Sequence, residues 1–156
     1  MSEGNASSRG ALSCRQGAAR AEYWSNPQQR AVAEFHRVMG ISAAEEPTML
    51  TPERGNFRCR LIEEEVTELR EATRQSDWLA MVDALVDIIY VAYGTGVELG
   101  VDLEPFFDEV HRANLRKIGA SAGGKSIKPP GWVPPDLEQV YRRLHGDAPI
   151  PPVKPR

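Results

Sequence analysis

Residues 78–93 read Trp-Leu-Ala-Met-Val-Asp-Ala-Leu-Val-Asp-Ile-Ile-Tyr-Val-Ala-Tyr, and this run decides the fold. It shows no strand alternation and predicts a helix. A helix that is apolar nearly all round belongs in the middle of a bundle or at an interface. Asp83 and Asp87 are its only charges and, spaced i,i+4, share one side with Tyr90 and Gly94. A charge buried without a partner is costly, so these aspartates call for a metal, an arginine or a strong donor.

The preceding segment is Leu61-Ile62-Glu63-Glu64-Glu65-Val66-Thr67-Glu68-Leu69. At about 100° per residue, Ile62, Val66 and Leu69 form an apolar stripe. Glu64, Glu65 and Glu68 gather on one arc beside it, and Leu61 projects into the same arc. Glu63, Thr67, Arg70 and Glu71 cover the opposite, solvent-facing side. A Glu-rich helix is often no more than a solvated face. Three carboxylates at the edge of a core repel one another unless a cation is present. With two aspartates on the next helix, the pattern favours a shared metal site. Oxygen-only ligands suit Mg²⁺, or Mn²⁺ in its place, better than zinc.

Working outward, five helical patterns appear between two tails. The first has Asn26 as N-cap, Pro27 at the first helical position, Gln29 three residues after the cap, and Gly40 as its stop. A loop with Pro47 and Pro52 leads to a second helix over roughly 54–74. The third covers roughly 77–99, and the fourth starts at Asp102 as N-cap and runs to about Ile118. A Gly-, Ser- and Pro-rich loop, 119–135, precedes a short fifth helix that ends at Gly146. The expected architecture is an all-α bundle of about five helices over residues 23–146. Residues 1–22 have almost no large apolar side chains and read as a disordered tail, and the Pro-rich residues 147–156 read the same way.

On the fourth helix Leu103, Phe107, Val110, His111, Asn114 and Ile118 share a side, which predicts that Asn114 points inward with Lys117 at the same edge. An amide beside an ammonium suits a base, sugar or phosphate, although a core Asn satisfied by backbone fits as well. His111 reads as a core histidine. Asp108-x-x-His111 lacks the second pair that a di-iron site needs. Gly94-Thr95-Gly96 lacks the strand and lysine of a phosphate loop, and close helix packing explains it better. Lys125, Lys128 and Trp132 make the later loop a candidate flap over an anionic ligand.

The chain has 156 residues, 41% hydrophobic and 26% charged, which fits one globular domain. A net charge of -3 gives no basic footprint, so no nucleic-acid polymer is expected as partner. Cys14 and Cys59 lack zinc or disulfide spacing and read as free thiols. Asp83 and Asp87 interrupt the longest apolar run, so no membrane span is expected. The N-terminus lacks a signal-peptide layout, and a cytoplasmic protein is expected.

Glu64-Glu65-x-x-Glu68, Asp87 within Asp-Ala-Leu-Val-Asp-Ile-Ile-Tyr-Val, and Val110-His111-Arg112-Ala113-Asn114-Leu115-Arg116-Lys117 together resemble the MazG-like all-α nucleoside triphosphate pyrophosphohydrolases. The nearest branch is the compact one of phosphoribosyl-ATP pyrophosphohydrolase and all-α dUTPases. Phe35 to Gly40 and Gly131 to Asp136 look like that branch too. The resemblance implies a homodimer with Mg²⁺ between the acidic helices. It also implies cleavage between the α- and β-phosphates of a nucleotide, dUTP being one candidate and phosphoribosyl-ATP the alternative. Carried over by motif, Glu64, Glu65, Glu68 and Asp87 bind metal or position the attacking water, with Glu65 or Glu64 as base. Asn114 and Lys117 contact the nucleotide; Tyr90, Lys128 and Trp132 complete the expected substrate contacts. The family usually has an acidic residue where this chain has Ala84, and Asp83, rotated by about 100°, is the substitute ligand. A non-catalytic helical regulator is the reading from a different class.

Overall fold

The computed structural model describes residues 23–120 and 123–151. The tail 1–22 and residues 152–156 lie outside the described residues. Five helices are described: α1 (Pro27–Met39), α2 (Pro52–Gln75), α3 (Trp78–Leu99), α4 (Glu104–Leu115) and α5 (Leu137–His145). The expected all-α fold is the observed one. A small antiparallel ribbon joins α4 to α5, with β1 (Ile118–Ala120) against β2 (Ser126–Ile127) and Ile118 opposite Ile127. Ile118 is thus a strand residue rather than the end of the fourth helix.

Local chemistry sets the helix ends. Asn26 Oδ1 accepts the amide hydrogens of Gln28 and Gln29 at 2.9 and 3.0 Å, and Gly40 stops α1 at φ 66°. Thr51 caps α2, so this helix starts at Pro52, earlier than the sequence spacing suggests, because proline is well placed in a first helical turn. Ser76 in a left-handed conformation ends α2, and Asp77 immediately caps α3. Asp102 does not cap α4 from the N-cap position. That position is Leu103, while the Asp102 carboxylate accepts from the Glu104 amide and from Ser25 N and Oγ.

α2 and α3 form a long hairpin, α1 packs across α3, and α5 packs on α4. The buried core centres on Trp24, Val32 and Val97, with Ala33, Ala43 and Tyr93 packed against it. Gln29 fastens α1 to the turn after α3. It is fully buried, its Nε2 donating to the Val101 carbonyl at 2.8 Å and its Oε1 accepting from the Leu103 amide at 3.0 Å. Gly96 permits this approach, since a Cβ there would stand 2.8 Å from the Leu103 side chain and 2.9 Å from Gln29 Nε2. The close-packing reading of Gly94-Thr95-Gly96 holds.

Two expectations change. α3 is long and apolar enough, by length and composition, to cross a membrane, so Asp83 and Asp87 alone do not exclude a span. A soluble core or interface helix passes the same test, and α3 packs against α2, which is charged along its length. Nonetheless much of α3 stays open, with Trp78 69% and Leu79 72% exposed. The apolar side of α4 is open too, Phe107 being 68% exposed, and Asn114 faces outward rather than inward. The helix pattern correctly puts these residues on one side. In the described chain, however, α4 buries Ala113 and leaves that side uncovered.

Candidate active site

The α2–α3 hairpin alone brings the two acidic sets to one level. Glu68 lies about two turns before the end of α2, and Asp83 lies between one and two turns after the start of α3. Glu65 is half-buried, and its carboxyl is pushed above the usual value, first by burial and then by Glu68, Asp87, Glu64 and Asp83. The other four acidic residues therefore all lie within electrostatic reach of Glu65. Glu64, Glu68 and Asp83 are exposed, Asp87 is half-buried, and Glu63 points to solvent. Ala84 is buried at the core, so Asp83 supplies the charge on this side of α3.

Among the described residues, no group of three His, Cys, Asp or Glu side chains closes around a single point as a ready-made metal cage. The donor set nevertheless fits a hard cation. It offers only carboxylate oxygens, and the mutual repulsion raised at Glu65 is what such an ion relieves. Mg²⁺ keeps several waters and needs only one or two carboxylates beside substrate phosphates, so a closed protein cage is not required.

One turn along each helix from the carboxylates, a cavity of about 280 Å³ opens between α1, α2 and α3. Leu61 and Tyr90 line it, as do Phe35, His36 and Phe57. Tyr90 meets Phe35 edge-on at 5.7 Å between ring centres. Along the cavity wall, Arg54 and Arg58 form an ion triad on the wholly buried Glu98 carboxylate, which is not anticipated from the sequence. The Glu98 carboxylate receives Arg54 Nε and Nη2 at 2.6 Å each and stands 3.5 Å from Arg58 Nη1. Arg58 also donates from Nε to Thr95 Oγ1 and from Nη2 to the Val91 carbonyl. Burial pushes the Arg58 guanidinium down, opposed by Glu98. A signal was present: residues 54, 58, 61, 65 and 68 follow helical spacing down one face of α2.

The remaining expected contacts form a separate group. Trp132 Nε1 donates to the Ala113 carbonyl at 2.9 Å, which pins the loop to the end of α4. Lys128 and Lys117 place their ammonium groups 4.5 and 5.6 Å from the Trp132 ring centre. Lys117, Lys128 and Trp132 are thus brought together on the α4 side, while Tyr90 joins the cavity next to the carboxylates. Asn114 is exposed on α4 and adjoins the second group through its backbone, its carbonyl accepting the Lys117 amide hydrogen at 3.0 Å.

A helical hairpin with carboxylates facing across it, flanked by an aromatic cavity, defines a candidate metal-assisted phosphate site. The sequence model of phosphoribosyl-ATP pyrophosphohydrolase matches residues 32–114, more than half of the chain, and the chain belongs to that family. The match contains all five acidic residues, His36 and Tyr90, ends at Asn114, and leaves out Lys117, Lys128 and Trp132. An uncharacterized protein of Acanthamoeba polyphaga mimivirus is 35% identical over 96 residues, covering 57% of this chain. The aligned part makes up 35% of that protein, so the chain spans about a third of the length of the curated relative it matches.

Proposed function

We propose that the chain hydrolyses a nucleoside or deoxynucleoside triphosphate, dUTP among the candidates, between its α- and β-phosphates to the monophosphate and pyrophosphate. Mg²⁺ is the working metal and Mn²⁺ its substitute. The observation that carries this reading is the placement of Glu64, Glu65 and Glu68 on α2 level with Asp83 and Asp87 on α3, inside the stretch that matches the family. Glu64, Glu65, Glu68 and Asp87 would hold the metal or position the attacking water, with Asp83 in place of the acidic residue missing at Ala84. A metal there supplies charge neutralisation for the phosphates and a more acidic water. Glu65 is the base that takes the proton of the attacking water, since a raised carboxylate is better matched to neutral pH; Glu64 is the alternative.

The protein acts as a cytoplasmic homodimer. The support is the open apolar side of α3, with Trp78, Leu79, Val82, Leu85, Val86 and Ile89 all exposed. Such a contiguous patch marks an interaction surface. Asn114, Lys117, Lys128 and Trp132 serve as substrate contacts once a second copy closes the site. The family's own description favours one second reading, in which phosphoribosyl-ATP is the substrate.

Pyrophosphate release from a panel of ribo- and deoxynucleotides, including dUTP and phosphoribosyl-ATP, tests the reading with and without Mg²⁺. Turnover that needs the metal and is lost in Glu68→Gln is the expected result. If no nucleotide is cleaved and Glu68→Gln behaves like the parent chain, a non-catalytic helical regulator takes its place.

A further inference from the structure

Among the described residues, the cavity beside the carboxylates is lined by a buried ring nitrogen that the fold leaves without a partner, Nε2 of His36. His36 is only 2% exposed, and its Nδ1 lies 2.8 Å from the Ser42 carbonyl oxygen. A carbonyl oxygen only accepts, so Nδ1 carries the hydrogen and, in the neutral ring, Nε2 presents a lone pair. Among the described residues Nε2 makes no hydrogen bond. No side-chain nitrogen or oxygen there is both fully buried and unpartnered, so Nε2 keeps its access through the cavity.

Gly94 lets His36 and Arg58 approach closely. A Cβ on residue 94 would stand 3.0 Å from His36 Nε2 and 2.5 Å from Arg58 Nη2. Arg58 Nη2 gives one hydrogen to the Val91 carbonyl and has a second one left. An acceptor and a cationic donor thus both pack against Gly94 in the cavity wall. The surrounding walls are Phe35, Phe57, Tyr90 and Leu61, the flat apolar surfaces on which a ring packs. At about 280 Å³ the space falls just below the roughly 300–1,000 Å³ of sites for drug-sized ligands, so it takes a ring and not a whole nucleotide.

We propose that this cavity is the nucleobase subsite and that His36 sets its specificity, accepting a ring N–H from a base whose adjacent carbonyl faces Arg58. The inference rests on the pyrophosphohydrolase reading: with the phosphates at the carboxylates, the cavity one turn away is where the base comes to lie. An N–H beside a carbonyl is the edge of uracil, thymine, guanine and hypoxanthine. Cytosine and adenine invert the pair: a ring lone pair would face His36 Nε2, and an amino group would face the Arg58 donor. A site built to hydrogen-bond an N–H rejects the analogue that lacks it, because its own polar group is then left unpaired.

The test uses the full chain with Mg²⁺ and two matched pairs, dUTP against N3-methyl-dUTP and dGTP against N1-methyl-dGTP. For the preferred base, methylation should lower kcat/KM by tenfold or more, chiefly through KM. In His36→Leu the two members of that pair should differ by less than threefold. The second readout needs no catalysis: the ¹⁵N resonance of His36 Nε2 should move with the unmethylated nucleotide and not with the methylated one. Pyrophosphate release that ignores methylation, or an Nε2 signal that no nucleotide moves, overturns the role of His36 and leaves the hydrolase reading to its own assay. An Nε2 signal that responds selectively while no nucleotide is cleaved overturns the hydrolase reading and keeps the base subsite. Equal response to dCTP and dUTP, methylated or not, overturns the specificity.

Discussion

Arg54 grips Glu98 with both Nε and Nη2, 2.6 Å from each carboxylate oxygen, although the two residues lie on different helices and the Glu98 side chain is wholly buried. Arg58 completes the triad from the cavity side. One carboxylate therefore serves two guanidinium groups. Removing it strands Arg58 in a site that it cannot leave. Glu98→Ala is expected to cost about 3–5 kcal/mol, the usual result of breaking a buried pair from one side. Urea unfolding of both chains measures this, and a loss below about 1 kcal/mol would mean that the triad contributes little.

Glu65 is expected to make stability depend on pH and on added Mg²⁺. Its carboxyl is raised in the folded chain above the ordinary 4.5, so the folded state holds a proton at pH values where the unfolded chain has released it. The stabilisation is complete below the ordinary value and is lost as pH rises through the raised one. Without metal, the melting temperature should fall as pH rises above 4.5, and Glu65→Gln should flatten that fall. Mg²⁺ should restore stability at neutral pH in the parent chain and less in the variant. Glu65→Gln should also slow pyrophosphate release by about 10²–10⁴-fold, the range for losing a positioned base.

Gln29 is a structural bolt. Its amide satisfies the Val101 carbonyl and the Leu103 amide at once, and it is fully buried. Gln29→Leu keeps much of the volume but orphans both backbone groups, at about 1–3 kcal/mol for each. Hydrogen exchange at Leu103 reports the effect locally. Faster exchange there, with the α2–α3 hairpin still protected, is the expected pattern.

The open side of α3 predicts its own experiment. Leu79 and Val86 are exposed, so replacing either by Glu should leave the folded helix content unchanged by circular dichroism. In a dimer that buries this side, the same substitutions should shift the sedimentation coefficient to that of a monomer. A parent chain that already sediments as a monomer at micromolar concentration removes the dimer from the proposal.

What the sequence determined by itself is local. Asn26 marks a helix start because a short polar side chain reaches its own next turn, and Gly40 and Gly146 mark stops; Thr51 acts in the same way where spacing places the start later, and Asp102 does not. The arc of Glu64, Glu65 and Glu68 follows from helical geometry alone, and the two-residue turn at Ser76 and Asp77 sets it level with Asp83 and Asp87. What only the tertiary structure decided depends on residues far apart in the chain. Arg58 meets Glu98 forty positions on, Gln29 meets Val101, and Gly94 makes room for His36. The side of α4 that carries Asn114 is plain from spacing, yet spacing cannot say whether a neighbour covers it, because a helix's period names a face and only packing supplies the partner.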